Sequence, residues 1–323
     1  MKMITRAAMA AISLALAAAP AMAQEWPTKP VKIVVPSGAG SSPDIFTRLI
    51  GHAMQQRLNQ SVVIENKPGA SGSLGIDQVA KAPGDGYTLG LAYPAPLTTN
   101  LLMMKKMPYD IKKDLQLITN AVQQPTVLII GKHLEAKNFN ELVALLKKNP
   151  GKYNSASAGA ASLGRLLAEA LANQVGSSIQ NVVYNGAGPT VVAMIRGDVD
   201  FAFLPAAGVM SFVKDDKIRL VAVAADKRST LLPDTPTIKE MGIAGIDGSN
   251  WLGFVAPASV PQDLANKMRR EIIATLNAPE TKKILADNYM EVIGSTPAEF
   301  ASVIDADITR WKPLIEKLQI RID

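Results

Sequence analysis

The chain contains no cysteine among its 323 residues, so neither a disulfide framework nor a lipid-modified cysteine can stabilise or anchor it. Histidine is almost absent too, because His52 and His133 are the only two. Two isolated histidines offer no metal-binding spacing, and each is more often a surface or helix-face residue than a general base. We therefore expect no metal, no cofactor and a fold that is stabilised by its hydrophobic core.

Aromatic residues are scarce, at 5% of the chain, and the basic excess is modest, with a formal net charge of +6. The lysine doublets lie at residues 105–106, 112–113 and 147–148, with no aromatic residues between them. This pattern is typical of a solvated surface and not of a nucleic-acid groove. A mild positive field can still help to recruit anionic small molecules.

The N-terminal residues MKMITRAAMAAISLALAAAPAMAQ predict a secretory signal. Lys2 and Arg6 precede an Ala/Leu-rich stretch, and Ala21-Met22-Ala23, with a small residue at each end, predicts cleavage before Gln24. Removing residues 1–23 leaves about 300 residues with a formal charge of about +4. No later segment approaches about 18 uninterrupted apolar residues, so we expect an exported, soluble protein.

Six short apolar runs each lead into a glycine- or serine-rich loop and then a helical pattern. They are residues 31–35, 62–64, 87–92, 127–130, 182–184 and 220–224. This alternation predicts α/β layers with largely parallel strands that are covered on both faces. After the first loop, Ser42 is placed to cap a helix and Pro43 suits its first position. A second helix is predicted from Leu163 to Leu171.

Two segments are predicted crossings between domains, residues 123–128 on the way out and 250–255 on the way back. Residues 24–125 and 249–323 would then form one discontinuous domain, and residues 126–248 the other. A chain of this length is large enough for two domains.

Four loops of small residues lie before plausible helices. They are residues 37–42, 69–73, 155–162 and 185–189. A helix start presents free backbone N–H groups and the positive end of the helix dipole, which together suit an anion. One such loop is usually only a tight connection, but four in one α/β chain favour anion binding.

Enzyme alternatives rest on weaker patterns. The stretch VVPSGAGSSPD nearly matches the dinucleotide motif G-x-G-x-x-G, and Glu65 lies about where a ribose-binding acid belongs. However, Pro43 replaces the third glycine and Asp44 would put negative charge beside the pyrophosphate. Ser211 and Lys214 match S-x-x-K without its partner motifs, and no G-x-S-x-G occurs. An exported hydrolase or NAD-dependent oxidoreductase stays the alternative.

Two charged residues beside the loops have both a structural and a functional interpretation. Asp44 would stabilise the first helical turn, or would orient the loop and bind an ordered water or a ligand proton. Arg165 would be an exposed arginine, or would donate two hydrogen bonds to a carboxylate.

Seven segments resemble, in order and spacing, the substrate-binding proteins of tripartite tricarboxylate transporters, also called the Bordetella uptake gene family. They are VVPSGAGSSPDIFTRLIG, VVIENKPGASGSLGIDQVAKAPGDGYTL, MPYDIKKDL, SASAGAASLGRLLAEAL, VVYNGAGPTVVAMIRGDVDFAF, LLPDTPTIKEMG and WLGFVAPASVPQDLANKM. The resemblance covers nearly the whole exported chain. ENKPGASGSLG followed by PGDGYTL is its most specific part.

The resemblance implies a two-lobed periplasmic binding protein of type II, a Venus flytrap with the ligand cleft between two doubly wound domains. It implies a non-enzymatic monomer that captures an organic carboxylate and delivers it transiently to integral-membrane transporter subunits, with sensing through a receptor as an alternative. The implied ligand-binding residues are Ser37, Gly38, Ala39, Gly40, Ser41, Ser42, Asp44, Ala70, Ser71, Gly72, Ser157, Gly159, Ala160, Ser162, Arg165, Tyr184, Asn185, Gly186, Ala187 and Asp200. Asp200 would support the second lobe or lie near the cleft.

Four positions depart from the family pattern, which usually has an aromatic residue at Ser37, proline or alanine at Gly38, a second glycine at Ser41 and histidine at Arg165. The small residues at Ser37 and Gly38 suggest extra room, and Ser41 adds a hydroxyl donor. These departures favour a ligand larger than a C4 diacid, either aromatic or a longer dicarboxylate. Arg165, if it faces the cleft, would favour a second acid group.

Overall fold

The computed structural model describes residues 26–248 and 250–322, and the predicted signal segment lies outside them. The strands in chain order are β1 (Val31–Val35), β2 (Val62–Asn66), β3 (Thr88–Ala92), β4 (Leu115–Gln124), β5 (Thr126–Gly131), β6 (Asn154–Ser157), β7 (Gln180–Val183), β8 (Phe201–Pro205), β9 (Ile218–Val223), β10 (Asn250–Pro257) and β11 (Glu291–Val292). The helices are α1 (Ser42–Leu58), α2 (Ser73–Ala80), α3 (Asn100–Met103), α4 (Ile111–Asp114), α5 (Phe139–Lys148), α6 (Leu163–Gln174), α7 (Ala187–Arg196), α8 (Met210–Lys214), α9 (Gln262–Asn277), α10 (Pro279–Asp287) and α11 (Pro297–Lys317).

The strands form two sheets with the orders β11-β4-β10-β3-β1-β2 and β7-β6-β8-β5-β9. We call residues 26–125 and 250–322, which carry the first sheet, the first lobe, and residues 126–248 the second lobe. In the first sheet β1 pairs in parallel with β2 and β3, while β10 runs antiparallel to β3 and β4. The second sheet repeats this plan, because β6 is parallel to β7 and β8 whereas β5 is antiparallel to β8 and β9.

The antiparallel strands mark where the chain passes between the lobes. Only Pro125 separates β4 in the first sheet from β5 in the second. Gln124 at the end of β4 pairs with Asn250 at the start of β10, so the outgoing and returning segments lie side by side. Both coincide with the predicted crossings. The prediction of largely parallel strands holds for β1–β3 and β6–β8 and is wrong for the strands at the crossings, which must run against their neighbours to change lobes. The domain limits themselves stay a prediction.

The C-terminal end of the chain contacts both lobes. Trp311 and Ile315 of α11, with Ile320, belong to the same buried cluster as Leu167 of α6. Lys317 donates a hydrogen bond from its Nζ to Asn173 Oδ1 at 3.0 Å. This packing adds a contact between the lobes that chain order alone does not indicate.

Helix α1 begins one residue earlier than the sequence predicts. Ser41, not Ser42, is the N-cap, because its backbone is extended and its hydroxyl accepts a hydrogen bond from the Asp44 amide. Ser42 and Pro43 occupy the first turn of the helix instead. No helix in the two described ranges is both long and apolar enough to cross a membrane.

Candidate functional site

The carboxyl ends of the parallel strands in both sheets meet at one cleft between the lobes. This is the edge at which open α/β sheets bind ligands. The cleft holds a cavity of about 100 Å³, whose lining includes Ser37 after β1, Tyr93 after β3 and Pro205 at the end of β8. The full lining comprises Ser37, Ser41, Ser42, Pro43, Ser71, Tyr93, Pro94, Ala95, Gln124, Thr126, Ala158, Gly159, Ser162, Leu163, Gly164, Gly186, Ala187, Phe203, Leu204, Pro205 and Asn250. These lining residues include no Asp, Glu, Lys, Arg or His.

Three helix N-termini converge on this cavity. Ser42 begins α1, Leu163 begins α6 and Ala187 begins α7, and all three residues line it. The first N–H groups of a helix have no partner within the helix, and the dipole makes this end positive. No side chain caps α7, since its N-cap is Gly186 with φ +108°. A β-carbon would be strained at that φ, so glycine leaves the amides of this helix start uncovered. The cavity therefore suits an anion without any cationic side chain.

Asp44 stabilises the loop of residues 37–42, and its side chain is almost fully buried. Asp44 Oδ2 accepts from the Gly40 amide at 2.8 Å and from Arg48 Nε at 3.0 Å. Its Oδ1 accepts from Asn66 Nδ2 at 2.9 Å, and the same Nδ2 also donates to the Ser37 carbonyl. Asp44 is not among the cavity-lining residues, so the structure places it as the residue that orients the loop.

The environment of Asp44 keeps it ionised. Burial alone would raise its pKa, but the hydrogen bonds from Arg48, Gly40 and Asn66, together with the charge of Arg48, outweigh burial. The net result is a pKa below the ordinary value of 3.8. A buried carboxylate with every acceptor position directed to a protein donor stabilises local structure and has little capacity left for a ligand.

The loop of residues 69–73 has a backbone conformation that few non-glycine residues adopt. Ala70 and Ser71 have φ of 46° and 50°, in the left-handed region that costs about 1–3 kcal/mol for such residues. Asn100 Nδ2 compensates by donating to the Ala70 and Ser71 carbonyls and to Ser73 Oγ. With this backbone conformation Ser71 lines both the cavity and the adjacent depression. Strain of this kind concentrates at functional sites.

The two lobes already touch across the cleft. Ala161 in the second lobe donates its N–H to Ser71 Oγ at 3.3 Å and accepts at its carbonyl from Thr99 Oγ1 at 2.6 Å. We call this pair of bonds the Ala161 latch. A β-carbon on Gly38 would also lie 3.8 Å from the Asn185 carbonyl. The two lobes are therefore in contact across the cleft, and we call this arrangement the closed form.

The structure brings many of the sequence-predicted site residues together. Eight line the cavity: Ser37, Ser41, Ser42, Ser71, Gly159, Ser162, Gly186 and Ala187. Five more line an adjacent depression of about 270 Å³: Gly38, Ala70, Gly72, Ala160 and Asn185. Ala39, Gly40, Asp44, Ser157, Arg165, Tyr184 and Asp200 line neither. Ser157, for example, is fully buried and donates to Asn181 Oδ1.

Two charged residues lie away from the cavity. Asp200 immediately precedes β8, whereas Pro205 at the other end of that strand reaches the cleft. Its carboxylate bonds His133 Nε2 and the Asn154 amide, so it supports the second lobe, as one of its two predicted roles proposed. Arg165 donates from Nη1 to the Ala160 carbonyl at 3.0 Å and does not line the cavity. Its contact with a second acid group of the ligand stays a prediction.

Several lining residues were not identified from the sequence, among them Gln124, Thr126, Asn250, Tyr93 and Phe203. The first three lie in the two predicted crossing segments. Because crossing strands run beside the cleft in a two-lobed protein, polar residues in such segments are a sequence signal for the site. Phe203 and Tyr93 carry no such signal, since Phe203 has the pattern of an ordinary buried strand residue and Tyr93 directly follows a buried strand. Within residues 26–248 and 250–322, no group of three or more His, Asp or Glu side chains is placed to hold a metal.

A model of the family described as tripartite tricarboxylate transporter family receptor matches residues 46–320. Among curated proteins, Protein BugT of Bordetella pertussis is 30% identical over 309 residues, which cover 95% of this chain and 94% of BugT.

Two solved structures extend the comparison. The R. palustris protein Rpa4515, solved with adipate, superimposes with a TM-score of 0.89 and 28% identity, over 92% of this chain and 99% of that one. The periplasmic binding protein BugD superimposes with a TM-score of 0.86 and 28% identity over the same shares.

Proposed function

Because this chain belongs to the tripartite tricarboxylate transporter receptor family, we propose that it captures an organic carboxylate in the cleft between its lobes and delivers it to membrane transporter subunits. The observation that carries the proposal is the convergence of three helix N-termini on one cavity without a charged side chain. Backbone N–H groups at these helix starts and the hydroxyl of Ser71 would hold the carboxylate, since charge-assisted hydrogen bonds are stronger than neutral ones.

Family membership confirms the resemblance drawn from the sequence, the two-lobed α/β fold and the prediction that the chain is not an enzyme. The hydrolase and oxidoreductase alternatives are therefore set aside. The near-match to a dinucleotide motif in residues 34–44 is a helix start that Asp44 holds in place.

Periplasmic location, monomeric state and transient contact with integral-membrane subunits are part of this proposal. The description of BugD as a periplasmic binding protein supports the location. The predicted signal at residues 1–23 would direct export. Residues 24–125 with 249–323, and residues 126–248, are proposed as the two bodies that move.

Ligand binding is coupled to closure of the two lobes. A carboxylate that contacts α1 in one lobe and α6 and α7 in the other binds the closed form more tightly than the open form, so it shifts the population toward closure. Pro125, which links β4 to β5, and Asn250, which begins β10, are the candidate hinges, since hinge motions concentrate in a few residues at element ends.

The first test is a thermal-shift screen of organic acids on ligand-free protein, followed by calorimetric titration of those that stabilise it. A carboxylate at about 100 times its dissociation constant should add about 2.7 kcal/mol to the free energy of unfolding. Neutral amides of the same acids serve as controls and should give no shift. Stabilisation by the amides as large as by the acids would contradict carboxylate binding.

We expect Thr99→Val to weaken ligand affinity through closure. The variant keeps the side-chain shape but leaves the Ala161 carbonyl without its donor in the closed form, which costs about 1 kcal/mol or slightly more. The apparent affinity should fall about fivefold to tenfold, because less of the unliganded protein is closed. Titration calorimetry measures the affinity, and small-angle scattering at partial saturation should report a larger mean radius.

Thr98→Val is the matched control for this variant. Thr98 is equally buried, but its hydroxyl donates to the Pro94 carbonyl within the first lobe. It should lower stability without changing closure. An equal loss of affinity in both variants would show that the Ala161 latch does not favour the closed form.

A further inference from the structure

Two buried polar atoms beside the cavity have no hydrogen-bond partner. They are Gln124 Nε2 and Thr126 Oγ1, on residues that are each 2% exposed. Both residues line the cavity, on either side of the crossing at Pro125. An unpaired buried donor costs about 1–3 kcal/mol, and native proteins rarely leave one without a reason. The bound ligand is the simplest partner for both atoms.

The Gln124 side chain is fixed by its other end. Ser42 Oγ donates to Gln124 Oε1 at 2.5 Å, which leaves the amide NH₂ as the unpaired group. A group that meets this NH₂ must accept a hydrogen bond. The hydroxyl of Thr126 can donate or accept, so an acceptor, or a hydroxyl that both accepts and donates, satisfies the pair.

The residues that line the cavity restrict the charge of the ligand group that can meet Gln124 and Thr126. A second carboxylate would be desolvated in a cleft whose lining carries no Lys, Arg or His, and a buried charge without an opposite charge is costly. Arg165, the one cation proposed for this role, donates to the Ala160 carbonyl instead. Because the helix N-termini hold the first carboxylate, a second one at the crossing strands would meet only neutral donors, and its charge would stay uncompensated.

Resting on the proposed function, we infer that Gln124 and Thr126 form a distal subsite that selects an uncharged oxygen-bearing group, such as a hydroxyl or a carbonyl, on an organic monocarboxylate. The carboxylate lies at the helix N-termini and the neutral oxygen lies at the crossing strands. The subsite thus discriminates against the diacid of equal length.

Matched trios of acids test the inference by calorimetry at pH 7. Each trio has one length and three ends: butanoate, 4-hydroxybutanoate and succinate; pentanoate, 5-hydroxypentanoate and glutarate; hexanoate, 6-hydroxyhexanoate and adipate. At the length that binds best, the hydroxy acid should bind at least tenfold more tightly than the other two members. The unsubstituted acid leaves Gln124 unpaired, and the diacid leaves a charge uncompensated.

Gln124→Met and Thr126→Val test which residues are responsible. The two variants should reduce the preference for the hydroxy acid over the unsubstituted acid to within about threefold. A merely structural role would weaken all three acids equally and leave the preference unchanged. Gln123→Met is the control, because Gln123 is the exposed neighbour in β4 and should leave the preference intact.

The outcomes separate the inference from the proposed function. If the diacid is the tightest member, or if the hydroxy and unsubstituted acids bind equally, the inference is wrong while carboxylate capture stands. If none of the nine acids binds and the wider acid screen gives no stabilisation, the proposed function fails and the inference fails with it.

Discussion

Asp44→Asn should lower the free energy of unfolding by about 3 kcal/mol at pH 7, the lower end of the cost of breaking a buried ion pair. The new amide would present an NH₂ group where Arg48, Asn66 and the Gly40 amide all donate. Arg48 is half exposed and can regain water, which keeps the loss from being larger. Urea denaturation of the variant and the unsubstituted protein measures the difference.

The difference in the free energy of unfolding between Asp44→Asn and the unsubstituted protein should become smaller as the pH falls. The pKa of folded Asp44 is below its ordinary value of 3.8, so its stabilisation is complete above that value and is lost as the pH falls through the folded pKa. The gap between the two proteins should therefore be constant from about pH 7 to 5 and shrink below about pH 4. A gap that stays constant or widens in acid would contradict this account.

Asp287→Asn is a matched control on the surface. Asp287 pairs with Lys283 at the same i,i+4 spacing, but the two side chains are 60% and 78% exposed. Exposed pairs of this kind contribute about 0.3–0.5 kcal/mol, so the control should change stability little. An equal loss in both variants would mean that burial of Asp44 has no special effect.

The sequence predicts the parallel strands β1, β2, β3 and β7, because buried strands such as β1 and β3 consist of short apolar runs. It does not predict two further parallel strands. They are β6, whose residues Asn154–Ser157 are mostly polar but are paired on both sides, and β8 (Phe201–Pro205). The sequence places the N-cap of helix α1 one residue too late. Both Ser41 and Ser42 can cap a helix, and only the backbone conformation decides between them.

The candidate site is predictable where it is built from loops of small residues and less so elsewhere. Ser71 and Gly186 belong to loops whose composition indicates a helix start or an unusual backbone. Gln124 and Thr126 reach the cavity only because the chain changes sheets between them. Arg165 lies near a loop, which suggested a ligand contact from the sequence, and in the structure its side chain donates to the loop backbone at Ala160.

Ser71→Asp should weaken carboxylate binding about 100-fold or more, while Ser71→Asn should not. The aspartate would place a negative charge within about 4–6 Å of the bound carboxylate, and like charges 4 Å apart repel by about 4 kcal/mol at an effective dielectric constant of 20. Asn and Asp both tolerate the left-handed backbone at φ 50°, so neither substitution should disturb the loop.

Comparing Ser71→Asp with Ser71→Asn separates the effect of the added charge from any effect on closure of the lobes. Both side chains can accept the Ala161 N–H bond that Ser71 Oγ accepts, so the Ala161 latch is kept in each variant. Titration of the same organic acid into the two variants gives the ratio of affinities, and the ratio should fall as salt screens the repulsion. Equal affinity of the two variants for an acid that binds the unsubstituted protein would place the carboxylate away from Ser71 and away from the three helix starts. Because the anion would then need another source of positive potential, that outcome would contradict the carboxylate-binding arrangement proposed for this cleft.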